Sequence, residues 1–152
     1  MILETDIGPI SLGFMNDALI CEFGRHRMNR EPTKKLAKQL ESYFNGKVIQ
    51  TFDAALPTCT PFTQKCWKAC RSIPYGKTIS YKELATLAGS SKAYRTAGQA
   101  MRNNPMAILT PCHRVLSSSG KLHGYAGETA LKSKELKRKQ FLIELEQRTI
   151  RA

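Results

Sequence analysis

Ser80-Tyr81-Lys82-Glu83-Leu84-Ala85-Thr86-Leu87-Ala88-Gly89-Ser90-Ser91-Lys92-Ala93-Tyr94-Arg95-Thr96-Ala97-Gly98-Gln99-Ala100-Met101-Arg102-Asn103 carries the architecture of this chain. Ser80 and Glu83 stand at the spacing of a capping box, in which a serine hydroxyl and a glutamate three residues on satisfy the first free amides of a helix. Leu84, Ala85, Leu87 and Ala88 follow as its apolar positions, and Gly89 closes it. After Ser90-Ser91 a second helix is expected over residues 92–103. Two short helices across a tight glycine-containing turn outline a helix-turn-helix. In the second helix Ala93, Ala97, Gly98 and Ala100 are small, whereas Lys92, Tyr94, Arg95, Gln99 and Arg102 are long and polar or basic. Small residues let a partner's backbone come close or pack the helix on its own lobe, and both readings hold if they fall on opposite faces.

Upstream, Thr60-Pro61 reads as an N-cap with proline at the first helical position. Phe62, Cys66, Cys70 and Ile73 follow at helical spacing, and Pro74-Tyr75-Gly76 stops the run. Cys66 and Cys70 share a face, with Cys59 nearby; lacking a fourth ligand or a CxxC spacing, they read as small buried hydrophobes, and no metal is expected. Residues 1–55 have the pattern of a small α+β lobe, structural in role. Ile10, Leu12 and Phe14 alternate at strand spacing after a Gly8-Pro9 turn, and Asn16-Asp17 turns the chain into a second strand over residues 18–23. Thr33 is placed as the N-cap of a helix bearing Leu36, Leu40, Tyr43 and Phe44, ended by Asn45-Gly46; residues 48–52 are expected to add a strand. Cys21 reads as a core residue and His26 as a loop residue.

Downstream, Asn103-Asn104-Pro105 ends the second helix, and Ala107-Ile108-Leu109 leads into Pro111-Cys112-His113-Arg114. Ser117-Ser118-Ser119-Gly120 is a turn, and His123-Gly124-Tyr125-Ala126-Gly127 is a glycine-rich loop whose amides can face a ligand. A final helix is expected over residues 129–148, strongly basic in its first half, with Phe141, Leu142 and Leu145 as its buried stripe. The fold class is α+β: a small N-terminal antiparallel sheet with a helix (residues 1–55), then a mostly helical, winged-helix-like domain containing the helix-turn-helix (residues 56–152).

With 152 residues and 41% hydrophobic composition the chain can bury a real core. No apolar run approaches the roughly 18–20 residues of a membrane span, and the acidic start lacks the basic n-region of a secretory signal. Five cysteines, an odd number, point to free thiols in a reducing compartment. The net charge of +12 is unevenly placed. Residues 1–55 hold seven basic and seven acidic side chains, and residues 56–152 hold seventeen against five, so the whole excess lies in the second part. A localised excess around a helix-turn-helix favours a polyanion, because phosphate neutralisation releases condensed counterions. A merely solubilising basic surface explains less.

Cysteine is a strong nucleophile only as its thiolate, and its reference pKa of about 8.5 leaves little of that form at neutral pH. The adjoining His113 supplies an imidazole to take the proton. A nucleophile is odd for a transcription factor and a DNA reader is odd for a thiol hydrolase. A regulator of that kind would bind a defined sequence with or without Cys112, and a hydrolase would leave the basic lobe unused.

The combination resembles the O6-alkylguanine-DNA alkyltransferases. Their Pro-Cys-His-Arg-Val motif stands here at Pro111 to Val115; their Thr-Pro-Phe-x-x-x-x-Trp lead-in spans Thr60 to Trp67. Their Ile-Pro-Tyr-Gly-x-x-x-Ser-Tyr segment spans Ile73 to Tyr81, their Ala-x-Arg-Asn-Asn-Pro segment Ala100 to Pro105, and their Gly-Tyr-x-Gly loop Gly124 to Gly127. The resemblance is strong over residues 56–152 and weak in the first lobe. It implies direct damage reversal by a cytoplasmic (or, in a eukaryote, nuclear) monomer that uses no cofactor. Such a protein binds duplex DNA through the minor groove and flips out the damaged base. It moves the alkyl group from O6-alkylguanine, and from O4-alkylthymine, onto its own cysteine once per molecule. Cys112 is then the acceptor, His113 its base through a bridging water, and Glu146 the acid that orients the imidazole. Asn104 braces the reactive turn, and Tyr81 donates to the guanine and crowds its phosphate. Arg95 is the finger inserted where the base was, with Lys92, Tyr94, Gln99 and Arg102 on the DNA-binding helix. Met101, Tyr125, Ala126 and Gly127 line the substrate pocket. Ala126 stands where some relatives carry serine, an extra basic segment lies near residues 128–137, and the first-lobe zinc ligands of some relatives are not recognisable. A lesion-binding relative without transfer activity lacks the cysteine, which Cys112 argues against.

Overall fold

A tight hairpin opens the molecule. In this computed structural model, which describes residues 1–117 and 130–152 (side chains excepted at 130–133), strand β2 (Ile10–Met15) pairs antiparallel with β3 (Ala18–Phe23). Asn16 and Asp17 both take positive φ, 48° and 67°, the geometry a two-residue turn needs to match strand twist. A short β1 (Ile2–Leu3), not expected from the pattern, adds to the other edge of β2. Ile10 and Leu12 are buried as expected, and Ser11 is buried between them because its hydroxyl donates to Gly24 O and accepts from His26 N. Helix α1 (Lys34–Phe44) begins at Thr33, whose hydroxyl accepts from Leu36 N, and packs Leu36, Leu40 and Tyr43 inward. At its end Gly46 adopts φ 81°, and Gly46 N and Lys47 N bond back to Tyr43 O and Ser42 O. The paired bonds satisfy carbonyls that a helix end otherwise leaves free.

Residues 48–52 form no strand. Val48 is exposed while Phe52 is buried. Gln39 donates to Thr51 O and accepts from Asp53 N, and Gln50 donates to Ile73 O and accepts from Tyr75 N. Gln39 thus meets the end of this segment, and Gln50 ties it to residues 73–75.

Helix α2 (Pro61–Arg71) starts at Thr60 with Pro61 in its first position, but the Thr60 hydroxyl donates to Thr63 Oγ1 and caps no amide. Cys66 and Cys70 are fully buried on it. Strand β4 (Ile79–Ser80) leads into α3 (Tyr81–Leu87), where both halves of the capping box form between Ser80 and Glu83. Gly89 takes φ 101°, with Gly89 N to Thr86 O and Ser90 N to Ala85 O completing the stop. Helix α4 spans Tyr94–Arg102, starting later than expected because Ala93 N bonds to Ser90 O in a turn. The chain then reaches a one-turn 3-10 helix (Cys112–Arg114) and β5 (Val115–Leu116), which pairs parallel with β4. Helix α5 (Ala130–Arg151) closes the chain and runs past residue 148.

Two cores result. One gathers Ile10, Leu12, Tyr43 and Phe52 of the first lobe with Ile108, Leu142 and Leu145 of the second. The other is built from α2, α3, α4 and the reactive turn, with Cys112 and Val115 in it. Ala97 and Ala100 are buried in this second core, and Trp67 Nε1 donates to Ala100 O at 2.9 Å. The small residues of α4 therefore pack its own lobe and bring it close to α2.

An alanine Cβ at Gly89 meets no atom within 4 Å, so Gly89→Ala isolates the backbone cost of a positive φ. The variant is expected to lose about 1 kcal/mol of stability. Urea denaturation should show a lower midpoint at unchanged slope, with Gly89→Asn falling less.

Candidate active site

The reactive turn is held from three sides. Asn104 donates from Nδ2 to Thr110 O (2.8 Å) and Met106 O (3.3 Å) and accepts from Met106 N (3.0 Å), clamping the loop as a brace should. Arg71 of α2 donates to Thr110 Oγ1, to Ala54 O and to Met106 Sδ. From the first lobe, Cys21 N donates to Pro105 O and Cys21 O accepts from Ala107 N, so the edge of β3 pairs with the segment entering the turn. Inside it, Leu109 N bonds to Ala107 O around Ile108 at φ 71°, and Cys112 N bonds to Thr110 O around Pro111. Two successive three-residue turns thus set Cys112 at the start of the 3-10 helix.

Cys112 is 8% exposed, and the two residues after it are buried against α5. His113 Nε2 lies 2.6 Å from Glu146 Oε2. Arg114 grips the same carboxylate with Nε to Oε1 (2.7 Å) and Nη2 to Oε2 (3.0 Å), while its Nη1 donates to Ile73 O. Gly76 N adds a bond to Oε1 at 3.0 Å. Burial alone would raise the Glu146 pKa, but the hydrogen bonds from His113 and Arg114 and the Arg114 charge prevail and hold it well below the usual carboxylate range. Glu144, the other acid near the stripe, is exposed. Burial lowers the His113 pKa against the pull of Glu146, so the imidazole is neutral at neutral pH. With Nε2–H committed to Glu146, the open acceptor is Nδ1, which is buried and has no hydrogen-bond partner among the described residues. The ring is a base with its lone pair available.

Tyr81, half-buried at the start of α3, has its phenol pushed up to about 12 by burial and by the nearby Cys112, which keeps it protonated as a donor must be. Met101 is buried in the same core cluster as Cys112. Lys92, Tyr94, Arg95, Gln99 and Arg102 are all exposed, and with Ala97 and Ala100 turned inward they form an outward polar and basic face. Tyr125, Ala126 and Gly127 lie outside the described residues.

Three side chains with no role in the sequence reading meet here. Tyr43 of α1 donates to Glu146 Oε2 at 2.6 Å. Arg114 was visible in the motif, but its two-pronged grip needed Glu146 to be placed. Lys139 is buried with Nζ donating to Val115 O (2.6 Å) and 5.9 Å from the centre of the Tyr81 ring. Burial lowers its pKa to about 8 against the opposing influence of Cys112 and Cys70. It was hidden among the basic residues of α5, although its offset from Leu142 and Glu146 places it on the buried stripe. A cleft of about 350 Å³ beside Cys112 is walled by Lys139 and Ile108 and, across it, by Cys21, Phe23 and His26 of the first lobe.

Known proteins resemble this chain in sequence and in fold. The family model described as 6-O-methylguanine DNA methyltransferase, DNA binding domain, matches residues 61–148. The chain is 41% identical to a methylated-DNA–protein-cysteine methyltransferase of Methanosarcina barkeri, over 99% of this chain and 98% of that protein. It superimposes on the crystal structure of Mycobacterium tuberculosis OGT in complex with DNA with a TM-score of 0.78 and 36% identity, covering 97% of this chain and 92% of the other. The O6-methylguanine methyltransferase of the same organism gives 0.76 at 34% identity, with the same coverage. The buried Cys-His-Glu cluster and the exposed basic helix therefore sit in a chain that belongs to the 6-O-methylguanine DNA methyltransferase family.

Proposed function

We propose that this protein repairs alkylated DNA directly, taking the alkyl group of O6-alkylguanine, and of O4-alkylthymine, onto Cys112 in a single turnover. The observation that carries the reading is the neutral His113, held by Glu146 through Nε2 with Nδ1 open, next to a cysteine in a helix-turn-helix domain. The DNA lies against the exposed face of α4, in the minor groove, with phosphates neutralised by Lys92 and Arg102 and contacted by Tyr94 and Gln99. O6 belongs to the pairing edge of guanine and cannot be reached inside the stack, so the base must rotate out. Arg95 fills the gap, and Tyr81 crowds the phosphate and meets the base, with Met101 in the pocket wall.

Proton and electron movements then balance. The Cys112 S–H proton passes to His113 Nδ1 through a bridging water. The thiolate attacks the alkyl carbon, an S–C bond forms, and the C–O6 bond breaks with its electron pair left on the guanine. Tyr81 donates a proton to that guanine and recovers one from the imidazolium side or solvent. Asn104 keeps the turn in place throughout. The thioether is stable and none of the described residues is positioned to cleave it, which makes the protein a reagent consumed by its reaction. No helix among the described residues is long and apolar enough to cross a membrane. The reaction belongs where the DNA is, in the cytoplasm or, in a eukaryote, the nucleus.

Excess duplex carrying O6-methylguanine should yield at most one repaired base per chain, with one added methyl on Cys112 by intact mass. Cys112→Ala should take none, and multiple turnover would overturn the reading. The pH profile has a definite sign. His113 acts only when neutral, and its folded pKa lies below the ordinary 6.5, so the base survives acidification past that value. Single-turnover rates should hold as pH falls through 6.5 and drop only below it. For Arg95→Ala, transfer from duplex should slow by roughly 10–100-fold, since a flipped base costs a few kcal/mol to hold out. Transfer from a single-stranded oligonucleotide should slow much less, which stopped-flow or quench assays on the two substrates will distinguish.

A further inference from the structure

Tyr43 stands outside the domain that carries the chemistry, yet its hydroxyl ends inside the proton relay. It is fully buried on α1 of the first lobe. Its ring needs no hydroxyl for its packing: the Phe44, Phe52 and Tyr75 rings surround it at centroid distances of 5.4, 6.1 and 6.2 Å, contacts a phenylalanine would keep. A buried phenol does need an acceptor, and the acceptor is Glu146 Oε2 at 2.6 Å. That oxygen is the one His113 Nε2 binds, also at 2.6 Å, and the phenol oxygen lies 3.5 Å from Nε2 itself.

We infer that Tyr43 is a positioning residue of the relay, which holds the Glu146 carboxylate and weakens its pull on the His113 N–H. The inference rests on the reading of His113 as the base for Cys112. Two donors on one carboxylate oxygen share its negative charge, so each is bound less strongly than it would be alone. With the phenol in place, Oε2 stabilises the imidazolium less, and the ring stays neutral and able to accept a proton. The phenol itself does not ionise, because burial and the Glu146 charge raise its pKa well above 10.0. Other groups facing the relay keep their partners when this hydroxyl is removed. From α5 these are Lys139 on Val115 O and Glu146 on Arg114 and Gly76; from the reactive turn they are Cys112 and Arg114; from the loop before β4 it is Tyr75, beside the Arg114 guanidinium. The first lobe thereby sets the basicity of a residue in the second.

The test is the titration of the His113 ring by NMR on full-length protein labelled at histidine, with its signal assigned by loss in His113→Gln. Tyr43→Phe should raise the His113 pKa by about one unit, the size a single hydrogen bond to a charged group carries. The acid limb of the single-turnover rate should move up with it, while affinity for an unmodified duplex stays within about twofold. Site-specific 3-fluorotyrosine at position 43, a stronger donor on the same ring, should shift the titration the other way and serves if Tyr43→Phe does not fold. An unchanged titration, or a shift of opposite sign, overturns the inference. Because the titration needs neither DNA nor transfer, a wild-type chain that takes no methyl would remove the proposed function and leave this result to be judged alone.

Discussion

The Arg114–Glu146 pair is the contact on which the site depends. Both side chains are nearly inaccessible, at 2% and 1% exposure, and two charges out of water are costly unless every donor and lone pair is matched. Here each nitrogen and oxygen of the pair has a partner. Glu146 accepts from both Arg114 nitrogens, His113, Tyr43 and Gly76, and the third Arg114 nitrogen meets Ile73 O. Removing one partner would strand a buried charge, at a cost of about 3–5 kcal/mol. These contacts join segments far apart in sequence: α1, the chain between α2 and β4, the reactive turn and α5. The pair is a structural fastener whose remaining capacity orients His113.

A second set of contacts lets an awkward backbone be tolerated beside that fastener. Ile108 is β-branched and sits at φ 71°, a conformation costing on the order of 1–3 kcal/mol. The bonds from Cys21, Asn104 and Arg71 over-determine the loop around it, and the Ile108 side chain is buried in the core shared by the two lobes. Relaxing the loop would undo all of these contacts together. The same geometry sends the chain through its second three-residue turn and sets Cys112 where the second core borders the cleft.

Local signals were legible in the sequence because their physics is local. The capping box of Ser80 and Glu83, the stop at Gly89 and the turn at Asn16-Asp17 each involve residues within a few positions of one another. Glu146 was singled out by the resemblance, and it is buried where Glu144 is exposed. What was missed is non-local. The parallel pairing of Ile79 with Val115 joins strands with no pattern in common, and the hydroxyl of Tyr43 looks like any apolar helix position until Glu146 is opposite it. Residues 48–52 show the converse error. Their apolar residues suit a strand, but Gln39 bonds the backbone at Thr51 and Asp53 and Gln50 reaches Ile73 and Tyr75, contacts between segments far apart in sequence. Lys139 was lost among its basic neighbours, since a charge run is usually solvated and one buried member leaves the composition unchanged.

The charges around the sulfur complete the physical argument for an acceptor. Arg114 and Glu146 neutralise one another and His113 is held neutral, while Lys139 places a buried ammonium close by. Its ammonium bonds to Val115 O and flanks the cleft that Cys112 lines, so negative charge on the sulfur forms beside a cation already in place. Moving the thiol proton to His113 Nδ1 then leaves the total unchanged and creates an anion and a cation near opposite charges, Lys139 for the first and Glu146 for the second. Preorganised charges of this kind act without the reorganisation that water would require. A site arranged so favours one ionisation of one thiol, with the basic face of α4 bringing the electrophile to it.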